Sequence, residues 1–177
     1  MSRSSSAALL LGIALAVAGC AATPEPEPTP TGFASEEEAF AAAEETYRAY
    51  VEATNRAKPD DPASAELIYE WVADDALSAS REEFTTAAAE KWTRSGTAVV
   101  DQVAPNDASD DLREVTLDVC VDVSDVDVVD ENGESLVPAD RPDVQSVRVE
   151  LRASNETRTG LAISRMSPRE DGLECDE

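Results

Sequence analysis

Val115-Thr116-Leu117-Asp118-Val119-Cys120-Val121-Asp122-Val123-Ser124 alternates apolar and polar residues without a break. Successive side chains of an extended chain point to opposite faces, so this stretch reads as a β-strand with one apolar and one polar face. Beyond it the apolar phase slips to Val126 and Val128. One extra residue near Ser124-Asp125 would produce that slip, so a β-bulge is expected there.

Working outward, residues 97–104 alternate more loosely through Val99, Val100 and Val103 and read as a preceding strand. Asn132-Gly133 signals a turn, and residues 138–142, bounded by prolines, signal a loop. A third strand follows, with Val147, Val149 and Leu151 on one face and Arg148, Glu150 and Arg152 on the other. Ser154-Asn155-Glu156 turns the chain into a fourth strand carrying Leu161 and Ile163. Residues 168–177 read as an acidic tail containing Cys175.

Upstream of Gly96 the period is helical. Ser35-Glu36-Glu37-Glu38 is a capping box, with Ser35 at the N-cap and Glu38 reaching back to its amide. Phe40, Ala43, Tyr47 and Val51 then recur at helical spacing, and the helix should end near Asn55, ahead of Lys58-Pro59. A second helix is expected over residues 63–72 with Leu67, Ile68, Trp71 and Val72. Ser80-Arg81-Glu82-Glu83 reads as another capping box, opening a third helix to about Trp92 with Phe84, Ala88 and Trp92 on one face.

Helices followed by antiparallel strands, each element with one apolar face, imply an α+β fold. The expected form is N-terminal helices packed on a curved, mostly antiparallel four-stranded sheet. This order resembles the cone of the nuclear transport factor 2-like superfamily, which includes ketosteroid isomerase and polyketide cyclases. Val119-Cys120-Val121-Asp122-Val123-Ser124, Asp127-Val128-Val129-Asp130, Asp140-Arg141-Pro142-Asp143 and a cysteine near the C-terminus resemble secreted actinobacterial lipoproteins of that superfamily. The resemblance covers residues 33–177 and implies little about activity.

The N-terminus carries a different signal. Arg3, the apolar run 7–17 and Val17-Ala18-Gly19-Cys20 follow the plan of a secretory signal peptide ending in what looks like a bacterial lipobox. The apolar run falls short of the ~20 residues that span a bilayer. Residues 1–19 are therefore expected to be the signal peptide and Cys20 the lipidated first residue of the mature chain. Residues 20–32 would be the lipidated Cys20 and a proline-rich stalk, residues 21–32, of about 37 Å at polyproline II spacing. Residues 33–177 would be the folded domain, on the extracytoplasmic face of the cell membrane.

With 38 acidic and 14 basic residues the formal charge is −24. Nucleic acid is excluded as a partner, since its binding needs clustered Lys and Arg. A basic patch on anionic lipid is excluded too. The chain holds no histidine, which removes His-based triads and His-ligated metals. With Cys20 acylated, Cys120 and Cys175 remain in a compartment that permits disulfides, and a bond between them is expected. Free buried thiols are the plainer alternative.

An isomerase of this fold needs a carboxylate inside the cone. Counted by twos, the inward faces of the strands offer none. Asp118, Asp122, Arg148, Glu150 and Arg152 fall on the opposite face, where cross-strand pairing in solvent is expected. The acids of the helices lie mostly off the apolar stripe, and Tyr47 alone makes no mechanism. The cluster Asp125, Asp127, Asp130, Glu131 and Glu134 departs from the spacing of a calcium loop and lacks its glycine, so no metal is expected.

Tyr47, Trp71, Phe84, Trp92, Val119, Val121, Val149, Leu151 and Ile163 are the candidate cone lining. The reading that follows is a lipid-anchored extracytoplasmic binding module without a cofactor, engaging a protein partner or a small apolar ligand. An enzyme of the isomerase or cyclase type is the alternative.

Overall fold

Ser35 opens the first helix as its sequence requires. Its Oγ accepts the Glu38 amide at 3.2 Å, while Glu38 Oε2 reaches back to the amide of Ala34 at 2.8 Å, one residue before the cap. Three glutamates in the first turn complement the positive end of the helix dipole. Helix α1 (Glu36–Arg56) stops before Lys58-Pro59, because a residue preceding proline disfavours helical backbone. The coordinates are a computed structural model describing residues 32–169 and 173–175. The expected signal peptide, Cys20 and the stalk up to residue 31 lie outside the described residues.

The expected second helix divides. Asp61 caps a 3₁₀ turn at Pro62–Ala65, and one α-helical turn, α2 (Glu66–Tyr69), follows. Trp71 and Val72 then leave the helix to dock on a strand edge, where the Ile163 amide donates to the Trp71 carbonyl at 2.9 Å. Helix α3 (Asp74–Glu90) starts six residues before the predicted cap. Ser80 caps nothing: it lies buried within α3, which begins at Ala73 without a side-chain cap. The helical period of Ala76, Ser80 and Ala87 runs back through the supposed boundary, and burial of that face outweighs the local capping pattern.

Six strands follow: β1 (Thr93–Ser95), β2 (Val99–Ala108), β3 (Glu114–Asp122), β4 (Asp127–Val129), β5 (Val144–Ala153) and β6 (Leu161–Pro168). The main sheet is antiparallel in the order β2-β3-β5-β6, with β3 paired to β5 from Glu114↔Arg152 to Asp122↔Val144. Register shifts in β2 and between Glu150 and Leu151 bend it. Helix α1 packs against β2, β3 and β6, and α3 against β6. This is the expected α+β architecture of helices on a four-stranded antiparallel sheet.

The predicted bulge at Ser124-Asp125 is absent. β3 ends at Asp122, a turn closes with the Val126 amide on the Val123 carbonyl at 2.9 Å, and β4 enters a second sheet with β1. The slipped valines thus belong to another sheet. Gly96, at φ +76°, makes this possible: a Cβ there would stand 1.7 Å from the Asp125 carbonyl oxygen.

The inward phase of the strands is as read. Val115, Leu117, Val119, Val149, Leu151, Leu161 and Ile163 are at most 2% exposed. Each aliphatic side chain buried in this way contributes about 1.5–3 kcal/mol. Ala39, Ala43 and Ala53 on α1 are fully buried, and their small size brings the helix close to the sheet.

The outer face differs from expectation. Asp118 is 3% exposed and Cys120 0%, where a wet surface was predicted. Arg148 and Asn106 close over Asp118 from neighbouring strands, and Cys120 is bonded to Cys175, with Cα atoms 5.6 Å apart. The disulfide lays residues 173–175 against a face that strand alternation alone would leave in water. Arg152 pairs with Asp74 and Glu150 is half buried, so only part of the predicted charge row lies in the open.

Candidate functional site

The cone is filled at one end and open at the other. Where β3 finishes and β5 begins, Val121 and Gln145 border a cavity of about 520 Å³. Tyr47, Tyr50 and Thr54 of α1 form one wall, and Ser80, Glu83, Phe84 and Ala87 of α3 another. Trp92, Arg94, Val126 and Val128 belong to the small β1–β4 sheet and its approaches, and Leu136, Val137, Pro138 and Arg141 come from the loop after it. The volume lies within the range of small-molecule sites.

Of the expected lining, Tyr47, Phe84, Trp92 and Val121 border this cavity. Val119, Val149, Leu151 and Ile163 instead fill the cone as solid core, and Trp71 is buried with the Arg158 guanidinium 4.4 Å from its ring centroid. These five are packing residues. The cone narrows onto the alanine face of α1 there, leaving no room for a ligand.

Five polar residues of the cavity stand outside the expected lining: Tyr50, Glu83, Arg94, Arg141 and Gln145. The helical acids lie mostly off the apolar stripe, and Glu83 is the exception that lines the cavity. Ala76, Ser80, Glu83, Phe84 and Ala87 follow helical spacing on one face of α3, and Glu83 sits on it. The same residue also completes the local Ser-x-x-Glu pattern of a capping box, which masks its place on that face.

Asn55 organises the polar wall. Its Oδ1 accepts from Arg94 Nη2 at 3.2 Å and from the Ala98 amide at 2.9 Å, while its Nδ2 donates to the Ala98 carbonyl at 2.8 Å. The end of α1 thereby fixes both β1 and the entry to β2. Arg141 fixes the opposite connection: its Nη2 donates to the carbonyls of Val123 at 2.7 Å and Val126 at 3.0 Å. Lys91 pairs with Glu131 at 2.6 Å, tying the end of α3 to the turn after β4.

Charges in the cavity are mutually tuned. Burial pushes the Tyr50 hydroxyl up to about 12, with Glu83 adding to the effect. Burial also raises Tyr47, seconded by Tyr50, whose ring centroid is 6.1 Å away. The Glu83 carboxyl is raised by burial against the opposing pull of Arg94, although solvent reaches it through the open mouth. Arg94 is lowered by burial, with Glu83 and Tyr50 acting the other way. A carboxylate with raised proton affinity beside neutral phenols combines a proton acceptor with hydrogen-bond donors.

The acidic loop serves itself. Asp130 Oδ1 accepts the amides of Asn132 at 2.8 Å and Glu134 at 2.9 Å, and Asp127 accepts the Ser135 hydroxyl at 2.6 Å. Among the described residues no three His, Cys, Asp or Glu side chains are grouped to hold a metal ion.

No protein-family model and no curated protein sequence matches the chain. Solved structures do. A proposed aromatic ring hydroxylase from Novosphingobium aromaticivorans superposes with a TM-score of 0.52 at 14% identity, covering 75% of this chain and 88% of the other. The intermembrane space region of the chloroplast protein ARC6 gives 0.50 at 14% identity, covering 73% and 95%. At such identities the likeness is one of fold alone, a cone-like α+β arrangement of helices on an antiparallel sheet.

Proposed function

We propose that the open end of the cone binds a small, largely apolar molecule bearing a polar group. On this reading the domain works outside the cytoplasm, tethered through Cys20. The observation that carries the proposal is the contrast between the two ends of the cone. Leu117, Val119, Leu151 and Ile163 pack one end shut, while Tyr50, Glu83 and Arg94 converge on about 520 Å³ of space at the other. Purely structural packing would have no need of three ionisable groups facing a void. An aromatic substrate, as the name of the Novosphingobium protein implies for that enzyme, agrees with such a lining.

N-phenyl-1-naphthylamine, a neutral aromatic probe, tests this reading. Its fluorescence should rise on binding wild-type protein and not on binding Ala87→Phe, which fills the cavity from α3. Absence of binding to the wild type would remove the ligand reading.

A second reading is favoured by one observation, the raised proton affinity of Glu83 beside Tyr50. On it the protein is an isomerase-type enzyme, with Glu83 as base and a tyrosine hydroxyl donating to the developing oxyanion. Exchange of α-hydrogens of a bound ketone with solvent deuterium would report this. Glu83→Gln should abolish exchange while binding persists; exchange unaffected by that substitution would sink the enzyme reading.

A further inference from the structure

The pairing of cations on this chain is uneven in an informative way. Arg48, Arg56, Arg148, Arg152, Arg158 and Arg165 each have a carboxylate within 4.0 Å, as does Lys91. That is natural where acids outnumber bases 38 to 14. Among the described residues no carboxylate comes within that range of Lys58, Arg81 or Arg113, all three exposed to water, nor of Arg94 or Arg141. Arg94 and Arg141, however, are both half buried and both line the cavity.

A half-buried guanidinium with no carboxylate in direct contact is costly, because solvent is partly removed and nothing ionic touches the group in its place. The partners Arg94 has are neutral: the Asn55 side chain and the Gly96 carbonyl, the latter at 3.4 Å. Those of Arg141 are two carbonyls, both taken by Nη2, while its Nε is buried without any hydrogen-bond partner. Glu83 is the one carboxylate among the described residues that line the cavity, and it attracts Arg94 only from beyond ion-pair distance. The charged lining therefore sums to one positive charge inside a chain of net −24. The sign of the charge inverts where the surface turns inward.

We infer that the ligand of this cavity is an amphipathic anion, an apolar ring or chain ending in one carboxylate or sulfonate that Arg94 and Arg141 neutralise. The inference rests on the cavity being a ligand site and adds the chemical class of the ligand. The apolar body lies against Phe84, Trp92, Val121 and Val128. The acidic exterior does not draw such a ligand in from a distance, so selectivity resides in the two guanidiniums themselves.

The test compares two fluorescent probes of nearly equal shape. 8-Anilino-1-naphthalenesulfonate carries one negative charge, and N-phenyl-1-naphthylamine carries none. The wild type should bind the sulfonate roughly tenfold more tightly, the scale of a charge-assisted hydrogen bond. Ala87→Phe should remove both probes, placing them in the cavity rather than on surface arginines. Arg94→Gln and Arg141→Gln should each weaken the sulfonate about tenfold while leaving the neutral probe within about twofold. Should Arg141→Gln disturb the loop it clamps, the wild-type ratio and the Arg94→Gln result still decide. Equal or tighter binding of the neutral probe overturns the anion inference alone. Failure of both probes to bind wild type overturns the cavity reading with it.

Discussion

Arg148 Nε lies 3.0 Å from Asp118 Oδ1 on the face of the main sheet turned away from the core. The Asp118 side chain is 5% exposed and that of Arg148 28%, so this pair is shielded rather than wet. Burial by itself pushes the Asp118 carboxyl up, but hydrogen bonds from Arg148 and Asn106 outweigh it and hold the group below its ordinary value. A depressed folded value stabilises the protein above the unfolded carboxyl value of about 3.9, and the benefit is lost as pH falls through the folded one. Asp118→Asn should cost about 1–3 kcal/mol at pH 7, and much less near pH 2. Denaturant titrations of both proteins at the two pH values check it; equal stability at pH 7 contradicts the pairing.

The Cys120–Cys175 bond spans 55 residues in sequence and holds residues 173–175 on a buried strand. Closing a loop of that size stabilises by about 4 kcal/mol on the chain-entropy account. That is a large share of the ~5–15 kcal/mol typical of a domain. Reduction should lower the melting temperature and expose the C-terminal segment to carboxypeptidase. Mass mapping of unreduced, alkylated protein must show neither cysteine modified.

Gly96 and Gly133 both adopt positive φ, at +76° and +81°, but only Gly96 has backbone where a Cβ would go. Gly133→Ala should carry backbone strain alone, about 1 kcal/mol. Gly96→Ala should cost more than that and also weaken the naphthylamine probe, because β1 and β4 must part. Two alanine variants with matching melts would show that the contact is unimportant.

Glu83 predicts a gain. Folding raises its proton affinity, so its ionised form is less favourable folded than unfolded. Stability is therefore lost as pH rises from the unfolded value of about 4.3 through the folded one, and the deficit persists above it. Attraction to Arg94 reduces this deficit without reversing it. Glu83→Gln should melt higher than wild type at pH 7 and together with it near pH 3. A lower melt at pH 7 would mean the carboxylate is there for structure.

Cys20 is expected to take a diacylglycerol, with further acylation supplying the second chain that stable anchoring requires. Cys20→Ala should lose labelled palmitate and leave the membrane fraction. Retention of the label in that variant would exclude the lipobox.

Legibility followed sequence distance. Residues 115–123 announced a strand because one of its faces meets core along its whole length, and alternation records that directly. The burial of Asp118 was hidden, since it depends on Arg148, Asn106 and a tail 55 residues beyond Cys120. β1 was hidden for a related reason: three residues make a strand only because β4 supplies the partner. Glu83 carried two local signals at once, the end of a Ser-x-x-Glu box and a place on the buried stripe of α3. Tertiary packing chose the second. Arg94 and Arg141 have no periodic signature at all, because short pieces of backbone rather than an amphipathic face aim them at the cavity.

The disulfide also gives the molecule a topology that its strand order conceals. Residues 120–175 form a covalent ring carrying β4, β5, β6 and the loop that roofs the cavity. A single peptide-bond break anywhere inside that ring, at the exposed Asn132-Gly133 turn for instance, severs the backbone without separating the pieces. The fragment bearing α1 and the fragment bearing β5 remain one molecule until the sulfurs part. Such a nick leaves both walls of the cavity joined in one molecule.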